Sequence, residues 1–487
     1  MTHSFVPTGV ELLRLSPEIL LVLAGTLLLV LEGLTGAKRG RELGRLALVA
    51  LGAALLASLA AARQPGLAFS GSISADGFAT FFRLVVIAAG LLVALFSGPY
   101  LRRESAERGE YYALLLYSVA GQCLMASANE LIVLFIALET SSIASYVLAG
   151  YLRADRRANE AAVKYFLLGS FASAFLLYGI ALIYGEAGST WLGQIRAALA
   201  GPPGSATPLA GAAAAFLFAG FAFKVSAAPF QVWAPDVYQG APAPVAAFLS
   251  AGPKAAAFAG LLRVFMTAFE PVSASWEGIV WVSALATMIV GNLAALLQSN
   301  IKRLLAYSSI AHAGYVMVAV TAHSSIGTAA AMFYLAAYVF MNVGAFAVVS
   351  YFARQGERYV HVDDLAGLAW RQPVVAALLS LLLLSLIGVP LTGGFFGKFY
   401  VFTAALEAGL VWLTVLGLLN SAVAAYYYLR ILVVMYMREP SEAAADLAAP
   451  PAPVRAALWA SALATLILGI FPSTVLEYAS KAAALAP

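Results

Sequence analysis

Cysteine and histidine are scarce in this sequence, and their scarcity limits the chemistry that the chain can support. Cys123 is the single cysteine among 487 residues, which excludes an internal disulfide. The four histidines do not have the spacing of metal ligands. Because metal sites, haem and iron–sulfur clusters are held mainly by these two residue types, the sequence predicts none of them.

The sequence also lacks a phosphate-binding motif. No Gly-x-Gly-x-x-Gly segment follows a strand pattern. The segment 393–398 (GGFFGK) approaches a phosphate-binding loop, but Thr392 stands where the first glycine belongs and Phe399 replaces the required serine or threonine. The chain is therefore not predicted to bind a nucleotide.

Charged residues make up only 11% of the chain and hydrophobic residues 62%, which excludes a soluble enzyme. The mean hydropathy is +0.89. Apolar runs recur along the whole sequence, and many approach the ~20 residues that a helix needs to cross ~30 Å of hydrocarbon. These runs predict an all-α polytopic membrane protein with fourteen spans, near residues 19–36, 43–62, 76–98, 111–127, 130–150, 159–184, 209–234, 241–266, 275–297, 302–321, 326–352, 373–404, 410–437 and 452–478.

The basic residues lie mostly in short loops between these spans, so membrane topology explains the net charge of +4 better than binding to nucleic acid does. Seventeen of the 28 lysines and arginines, Lys38 among them, fall in loops on one side, and four fall on the other. Because cytoplasmic loops are enriched in lysine and arginine, both termini are predicted to lie outside. The four outward basic residues are Arg14, Arg63, Arg196 and Lys481.

Seven basic residues lie within or at the edge of the predicted spans. A charge at mid-bilayer costs roughly 2.5–3.5 kcal/mol, so it normally contacts a partner or a water-filled path. Four of the seven are expected to have mainly structural roles, whereas three deeper lysines are the candidates for function. The structural group is Arg83, Lys164, Arg263 and Arg430; the deeper lysines are Lys224, Lys254 and Lys398.

A weak internal repeat supports this choice of lysines. The segment 141–147 (SSIASYV) is similar to 308–316 (SSIAHAGYV), and Lys224 precedes Lys398 by a comparable distance along the chain. Pro229 and Pro235 follow Lys224, while Gly388 and several other helix breakers precede Lys398. Paired interrupted spans in two halves indicate an ion or substrate path, and five spans per half would make the halves inverted repeats.

Glu139 is an acidic residue midway along an apolar run, and its partner must come from another span. Burial disfavours the charged form of a carboxylate or a lysine, while each favours the charged form of the other when they are close. A lysine can therefore hold its proton when Glu139 approaches and release it when Glu139 withdraws. Lys224 is the predicted partner, and Lys254 and Lys398 are predicted to receive the proton in turn.

His312 is a possible link in this path, because an imidazole titrates near neutral pH. Structural alternatives remain open at this point. Glu139 and Lys224 could form a fixed salt bridge that only holds two helices together, and His312 could be a hydrogen-bonded core residue. Tyr146, Tyr307, Tyr315 and the serines around them either line hydrated cavities or act as polar contacts between helices.

The motifs resemble the antiporter-like membrane subunits of respiratory complex I. The likeness covers nearly the whole chain and is most specific in 223–242 (FKVSAAPFQVWAPDVYQGAP); 302–312 (KRLLAYSSIAH) and 15–20 (LSPEIL) are also similar. The resemblance implies that Glu139 and Lys224 are the proton-gating pair, that Lys254 is the connecting lysine and that Lys398 is the terminal lysine. One of the sister subunits usually carries Glu at this last position, so Lys398 argues against that one.

The resemblance also implies the architecture and the surroundings of the chain. It implies broken helices 7 and 12, an N-terminal three-helix segment (1–110), two inverted five-helix repeats (111–266 and 275–437) and a C-terminal helix (452–487). This chain would translocate protons without redox chemistry of its own, in a bacterial inner membrane. NADH, FMN, iron–sulfur clusters and quinone would belong to the other membrane and peripheral subunits of the complex.

Two other functions are compatible with buried lysines in a polytopic protein. A subunit of a multi-subunit cation/proton antiporter resembles the same family and is the main rival. An independent solute carrier is a more distant one, because no cluster of side chains selective for an organic ligand is present. The segment 236–242 (DVYQGAP) favours the complex I assignment over both.

Overall fold

The computed structural model describes residues 7–35, 39–201, 207–445 and 447–483, so Lys38 and His3 lie outside the described residues. Twenty-one α-helices and one small hairpin occur in these ranges. The helices are α1 (Gly9–Arg14), α2 (Ser16–Thr35), α3 (Gly40–Ala61), α4 (Gly77–Arg103), α5 (Gly109–Ser127), α6 (Leu131–Ala149), α7 (Arg156–Ala187), α8 (Leu192–Leu199), α9 (Pro208–Val225), α10 (Trp233–Gly240), α11 (Ala243–Arg263), α12 (Glu277–Leu296), α13 (Ile301–Thr321), α14 (Ser325–Phe352), α15 (Leu368–Arg371), α16 (Pro373–Ile387), α17 (Gly393–Glu407), α18 (Val411–Met437), α19 (Glu442–Ala445), α20 (Ala452–Ile470) and α21 (Pro472–Ala482). The strands β1 (Gly66–Ala68) and β2 (Ile73–Ala75) pair antiparallel.

The predicted all-α polytopic fold is confirmed. Within the described ranges, twelve helices are long and apolar enough to cross a membrane. The other two predicted spans correspond to α5, which carries the buried polar residues Ser118 and Gln122, and to the pair α16 and α17, each of 15 residues. The predicted last span extends too far, because α20 ends at Ile470 and Phe471 leaves the helical conformation (φ −122°, ψ 55°). A residue before proline disfavours the helical region, and Pro472 follows.

The predicted break in the seventh span lies between α9 and α10. Thr207 caps the start of α9, and the helix ends at Val225 because the next residue, Ser226, has a left-handed backbone (φ 61°). Side chains of α12 supply hydrogen-bond partners for the backbone at this break. Thr287 Oγ1 accepts from Ala228 N at 2.8 Å, and Ser283 Oγ donates to Ala228 O at 2.6 Å. Non-helical backbone at membrane depth requires such partners, since lipid offers none.

The predicted break in the twelfth span separates α16 from α17. Gly388 ends α16 with a left-handed backbone (φ 97°), which glycine adopts without strain. A Cβ atom at Gly394 would lie 1.9 Å from Ser385 O, so only glycine allows this close approach of the two half-helices. The amide of Gly394 donates to Ser385 Oγ at 3.1 Å and thereby joins the two halves.

Three helices, α11, α13 and α14, are buried almost all round and form the centre of the bundle. The helices α2, α3, α7 and α18 surround this centre and expose many large apolar side chains. Such exposed apolar surface is typical of helices that face lipid. The candidate lysines lie on α9, α11 and α17, so two of the three are placed next to a helix break.

Candidate functional site

Lys224 occupies the last turn of α9 and reaches toward α6. Its ammonium donates to Ser142 Oγ at 2.7 Å and to Tyr146 OH at 3.1 Å, and it lies 5.3 Å from the centre of the Tyr146 ring. Glu139, also on α6, instead accepts a hydrogen bond from Ser173 on α7. Ser142 comes three residues after Glu139, so the two side chains lie on the same face of α6, about one helical turn apart.

Lys224 and Glu139 therefore do not form the fixed salt bridge that was the structural alternative. Each side chain is instead hydrogen-bonded to a serine hydroxyl group. Lys224 also lines a small cavity of about 10 Å³, room for roughly one water molecule. Polar and aromatic side chains share that cavity, among them Ser142, Ser145, Tyr165 and Trp233.

Lys254 lies in the middle of α11 and is 2% exposed. Its ammonium donates to the carbonyl oxygen of Ser309 at 2.9 Å and to Ser309 Oγ at 2.5 Å. Ser309 belongs to α13, three residues before His312, so one turn of α13 carries both groups. Lys254 on α11 thus contacts the same turn of α13 that carries His312.

His312 is buried, and both of its ring nitrogens have hydroxyl partners. Nδ1 lies 2.7 Å from Tyr334 OH, and Nε2 lies 3.2 Å from Tyr428 OH. Tyr428 OH is also hydrogen-bonded to Ser308 Oγ. One nitrogen of a neutral imidazole donates and the other accepts, so the ring can take a proton on one side and give one on the other.

Lys398 lies in α17, but its side chain points back to the end of α16. The ammonium donates to the carbonyl oxygens of Leu386 at 3.1 Å and Ile387 at 2.8 Å, and to Ser421 Oγ at 2.7 Å. It also lies 4.9 Å from the centre of the Tyr315 ring. Tyr315 OH accepts from Asn292 Nδ2 at 3.1 Å, which extends the polar contacts to α12.

The three deep lysines share one property: their hydrogen-bond partners are hydroxyl and carbonyl oxygens. The basic residues with predicted structural roles have other partners. Arg83 pairs with Glu18 at 2.8 Å, while Arg430 donates to the carbonyl oxygen of Gln298 at 2.7 Å. Lys164 and Arg263 each pair with an aspartate at 2.8 Å. Among the described residues, carboxylates thus neutralise three of those four basic residues but form an ion pair with none of the three deep lysines.

The partner of Arg263 is Asp76, which precedes the first residue of α4 and caps the start of that helix. Burial alone would raise the pKa of the Asp76 carboxyl. The positive charge of Arg263, together with hydrogen bonds from Arg263, Ala79 and Ser74, more than offsets burial and holds the pKa of Asp76 below its usual value of 3.8. This ion pair joins the ends of α4 and α11.

Some site residues were missed by sequence analysis. Tyr334 and Tyr428 contact His312 directly, and Ser421 contacts Lys398. Ser142 and Ser309 lie in the repeated segments 141–147 and 308–316, but their contacts with Lys224 and Lys254 were not predicted. The run 426–428 (YYY) in a predicted span was the available signal for Tyr428. No comparable signal marks Tyr334, because isolated tyrosines are common in membrane helices. Within the described ranges, no group of three or more His, Cys, Asp or Glu side chains is arranged to hold a metal ion.

Comparisons with known proteins show what the chain is similar to. Residues 128–424 match the family model described as NADH:quinone oxidoreductase/Mrp antiporter, TM. The chain is 63% identical to NADH-quinone oxidoreductase subunit N 1 of Solibacter usitatus over 97% of both chains. It is 44% identical to NADH-quinone oxidoreductase subunit N of Trichlorobacter lovleyi over 96% of both.

Solved structures show the same fold. A chain of respiratory complex I from Thermus thermophilus superposes with a TM-score of 0.82 at 37% identity, covering 95% of this chain and 99% of that one. A chain of the Mrp complex from Dietzia sp. has a TM-score of 0.86 at 24% identity, covering 98% and 97%. The second likeness is one of fold alone.

Proposed function

The chain belongs to the NADH:quinone oxidoreductase/Mrp antiporter membrane family, and we propose that it is a proton-translocating membrane subunit of a NADH-quinone oxidoreductase, of the subunit N type. The relatives at 63% and 44% identity carry that name over nearly their whole length. The enzyme is the assembled complex, a translocase. This chain supplies the path for protons.

One observation carries the proposal: three lysines lie inside the bundle with neutral oxygen partners, and no carboxylate in the described part of the chain pairs with them. A buried ammonium that no carboxylate neutralises is costly, and lysine lowers that cost by giving up its proton. Arginine in these positions would stay charged. Hydroxyl partners suit both states, because a hydroxyl group accepts from an ammonium and donates to a neutral amine.

The proposed path begins at Glu139 and Lys224. Movement of the carboxylate toward Lys224 favours the charged lysine, and its withdrawal favours release of the proton. Ser142, which contacts the ammonium, lies between the two groups along α6. The cavity beside Lys224 has room for a water molecule that continues the path.

The proposed path continues through the centre of the bundle. Lys254 passes its proton toward Ser309 and the His312 ring one turn further along α13. Tyr334 and Tyr428 flank that ring and extend the line of hydroxyl groups. Lys398 is the terminal group, beside Tyr315 and Ser421. Water molecules bridge the remaining gaps in this proposal.

The surroundings of the chain are part of the same proposal. NADH, FMN, iron–sulfur clusters and quinone belong to other subunits, since this chain has a single buried cysteine, Cys123, and no nucleotide motif. The chain spans a bacterial inner membrane with both termini outside. Its divisions are the N-terminal segment 1–110, the inverted repeats 111–266 and 275–437, and the C-terminal segment 452–487. The rival assignment, a subunit of a cation/proton antiporter, has only the shared fold in its favour.

The test replaces Lys224 by Ala in the assembled complex. NADH-driven proton uptake and quinone reduction are measured in membrane vesicles, with assembly checked on native gels. Proton translocation per NADH is expected to fall while assembly is retained. Lys481, an exposed lysine of α21, provides the matched control, and Lys481→Ala is expected to behave as wild type. Unchanged pumping in a fully assembled Lys224→Ala complex would reject the proposed role.

A further inference from the structure

Asp236 connects three helices through one carboxylate. It lies on α10, the short helix that follows the break after Lys224. Asp236 Oδ2 is 2.8 Å from Lys164 Nζ on α7, and Asp236 Oδ1 is 2.6 Å from Arg303 Nη1 on α13. Arg303 Nη1 also donates to Gln239 on α10 at 3.1 Å, so the arginine holds α10 at two positions.

The opposite end of α10 contacts the surroundings of Lys224. Trp233 Nε1 donates to the carbonyl oxygen of Phe223, the residue before Lys224, at 2.9 Å. The Trp233 ring stacks on Tyr165 at 4.4 Å, and Tyr165 packs edge-on against Tyr146 at 4.7 Å. Tyr146 in turn accepts from Lys224. A shift of α10 therefore moves groups on two sides of the Lys224 ammonium.

Beyond Arg303, α13 carries the next groups of the proposed path. Ser309, which holds Lys254, comes six residues later, about 9 Å along the helix. His312 follows one turn further. The pair Asp236–Arg303 thus joins the helix that adjoins Lys224 to the helix that supports Lys254 and His312.

We propose that Asp236 is a positioning residue that makes α10 and α13 move together, so that the state of the Lys224 site is transmitted to the Lys254–His312 site. The inference rests on the proposed function. Asp236 touches none of the three lysines of the path and acts through Trp233 and Arg303. Nothing else in α10 carries a charge, so this carboxylate is the electrostatic link from the short helix to α13.

The exposure of the ion pairs that Asp236 forms with Lys164 and Arg303 favours a role in coupling α10 to α13 over a role in stabilising the fold. The Asp236 and Lys164 side chains are 36% and 41% exposed, and a cavity of about 190 Å³ opens beside them. Ion pairs of this exposure contribute little to stability, typically less than about 1 kcal/mol. Proton transfer between positioned groups is more sensitive, because displacements of about 1 Å change such rates strongly.

The experiment compares Asp236→Asn, Asp236→Glu and Lys224→Ala in the full complex. Protons translocated per NADH are measured together with quinone reduction and assembly. Asp236→Asn is expected to lose proton translocation per NADH in an assembled complex, in the same direction as Lys224→Ala. Asp236→Glu is expected to retain it, because the carboxylate still reaches Arg303. The matched control is Asp363→Asn, which removes an exposed ion pair with Arg438 (2.7 Å) and is expected to pump as wild type.

A second variant covers the case in which Asp236→Asn does not assemble. Arg303→Gln keeps the ion pair Asp236–Lys164 but removes the ion pair between Asp236 and α13. It is expected to show the same loss of proton translocation per NADH. Normal pumping by assembled Asp236→Asn, or by Arg303→Gln where only that variant assembles, overturns the inference. If Lys224→Ala pumps normally, the proposed function itself fails; a loss in Lys224→Ala with normal pumping in Asp236→Asn removes only the role of Asp236.

Discussion

Lys398 donates a hydrogen bond across the break in its own span, from its ammonium on α17 to the carbonyl oxygen of Ile387 at the end of α16, at 2.8 Å. The final carbonyl groups of a helix carry partial negative charge and have no partners within the helix. The charged lysine satisfies two of them, those of Leu386 and Ile387. Release of its proton weakens those contacts, so the break is a place where proton transfer and local conformation influence each other.

Replacing Lys398 by Arg separates its role as a positive charge at the end of α16 from its role as a group that releases a proton. Arginine keeps the positive charge at the end of α16 but does not release its proton. We expect both Lys398→Arg and Lys398→Gln to assemble and yet to translocate fewer protons per NADH. The measurement is proton uptake by vesicles during NADH oxidation. Wild-type pumping by Lys398→Arg would show that the side chain only caps α16.

Ser142 is expected to matter for transfer between Glu139 and Lys224. Its hydroxyl group accepts from the ammonium at 2.7 Å, and a hydrogen bond to a charged group contributes about 1.5–3 kcal/mol. Ser142→Ala should therefore slow proton translocation by roughly tenfold or more if this step limits the rate. Ser58→Ala is the control, because Ser58 is a buried serine that bonds only to its own helix, at Ala54 O. Equal rates for the two variants would remove Ser142 from the path.

Gly394 is expected to tolerate no side chain. An added Cβ would lie 1.9 Å from the backbone carbonyl oxygen of Ser385. Because neither atom can move without its backbone, α16 and α17 would have to separate. We expect Gly394→Ala to lower stability by about 1–3 kcal/mol or more, measured by thermal unfolding in detergent. Gly52→Ala on α3 meets no atom within 4 Å and should be neutral or stabilising by up to about 1 kcal/mol. An unchanged midpoint for Gly394→Ala would contradict the close packing of α16 and α17.

The pair Asp76–Arg263 predicts a specific dependence of stability on pH. Because the folded protein holds the pKa of Asp76 below 3.8, the carboxylate contributes stability at every pH above that value. The contribution is lost as the pH falls through the folded pKa. The stability difference between wild type and Asp76→Asn should therefore be constant from about pH 5 to pH 8 and shrink below about pH 4.

Thermal unfolding at several pH values checks this prediction, with Asp363→Asn as the control for an exposed pair. A difference that grows as the solution becomes more acidic would have the wrong sign. It would mean that Asp76 is protonated in the folded protein and that Arg263 has another partner.

Much of the fold was predictable because its signals are local. Apolar length predicted the spans, and Pro229, Gly388 and their neighbouring breakers predicted the two interrupted helices. Lys224, Lys254 and Lys398 were recognisable as exceptions, since charge is expensive where the surrounding residues are apolar. The structure places all three inside the bundle, and their roles as proton carriers remain a prediction for the experiments above.

The contacts of these residues were less predictable. Lys224 was predicted as the partner that Glu139 approaches and leaves, but the sequence did not predict that hydroxyl groups of Ser173 and Ser142 contact the two side chains. Serine is common in membrane helices both as a contact between helices and as a bond to its own backbone. The sequence does not distinguish these uses, so Ser142 and Ser309 could not be chosen among the many serines.

The sequence by itself determined that the chain is a bundle of apolar helices with two breaks and a few buried amines, because hydrophobicity and helix termination act over one span at a time. The tertiary structure alone decided which groups meet. Asp236 and Arg303 are 67 residues apart, and His312 and Tyr428 are 116 apart. Such contacts depend on how helices rotate and pack against each other. A short polar side chain that faces a neighbouring helix produces no recognisable pattern in the sequence of the helix that carries it.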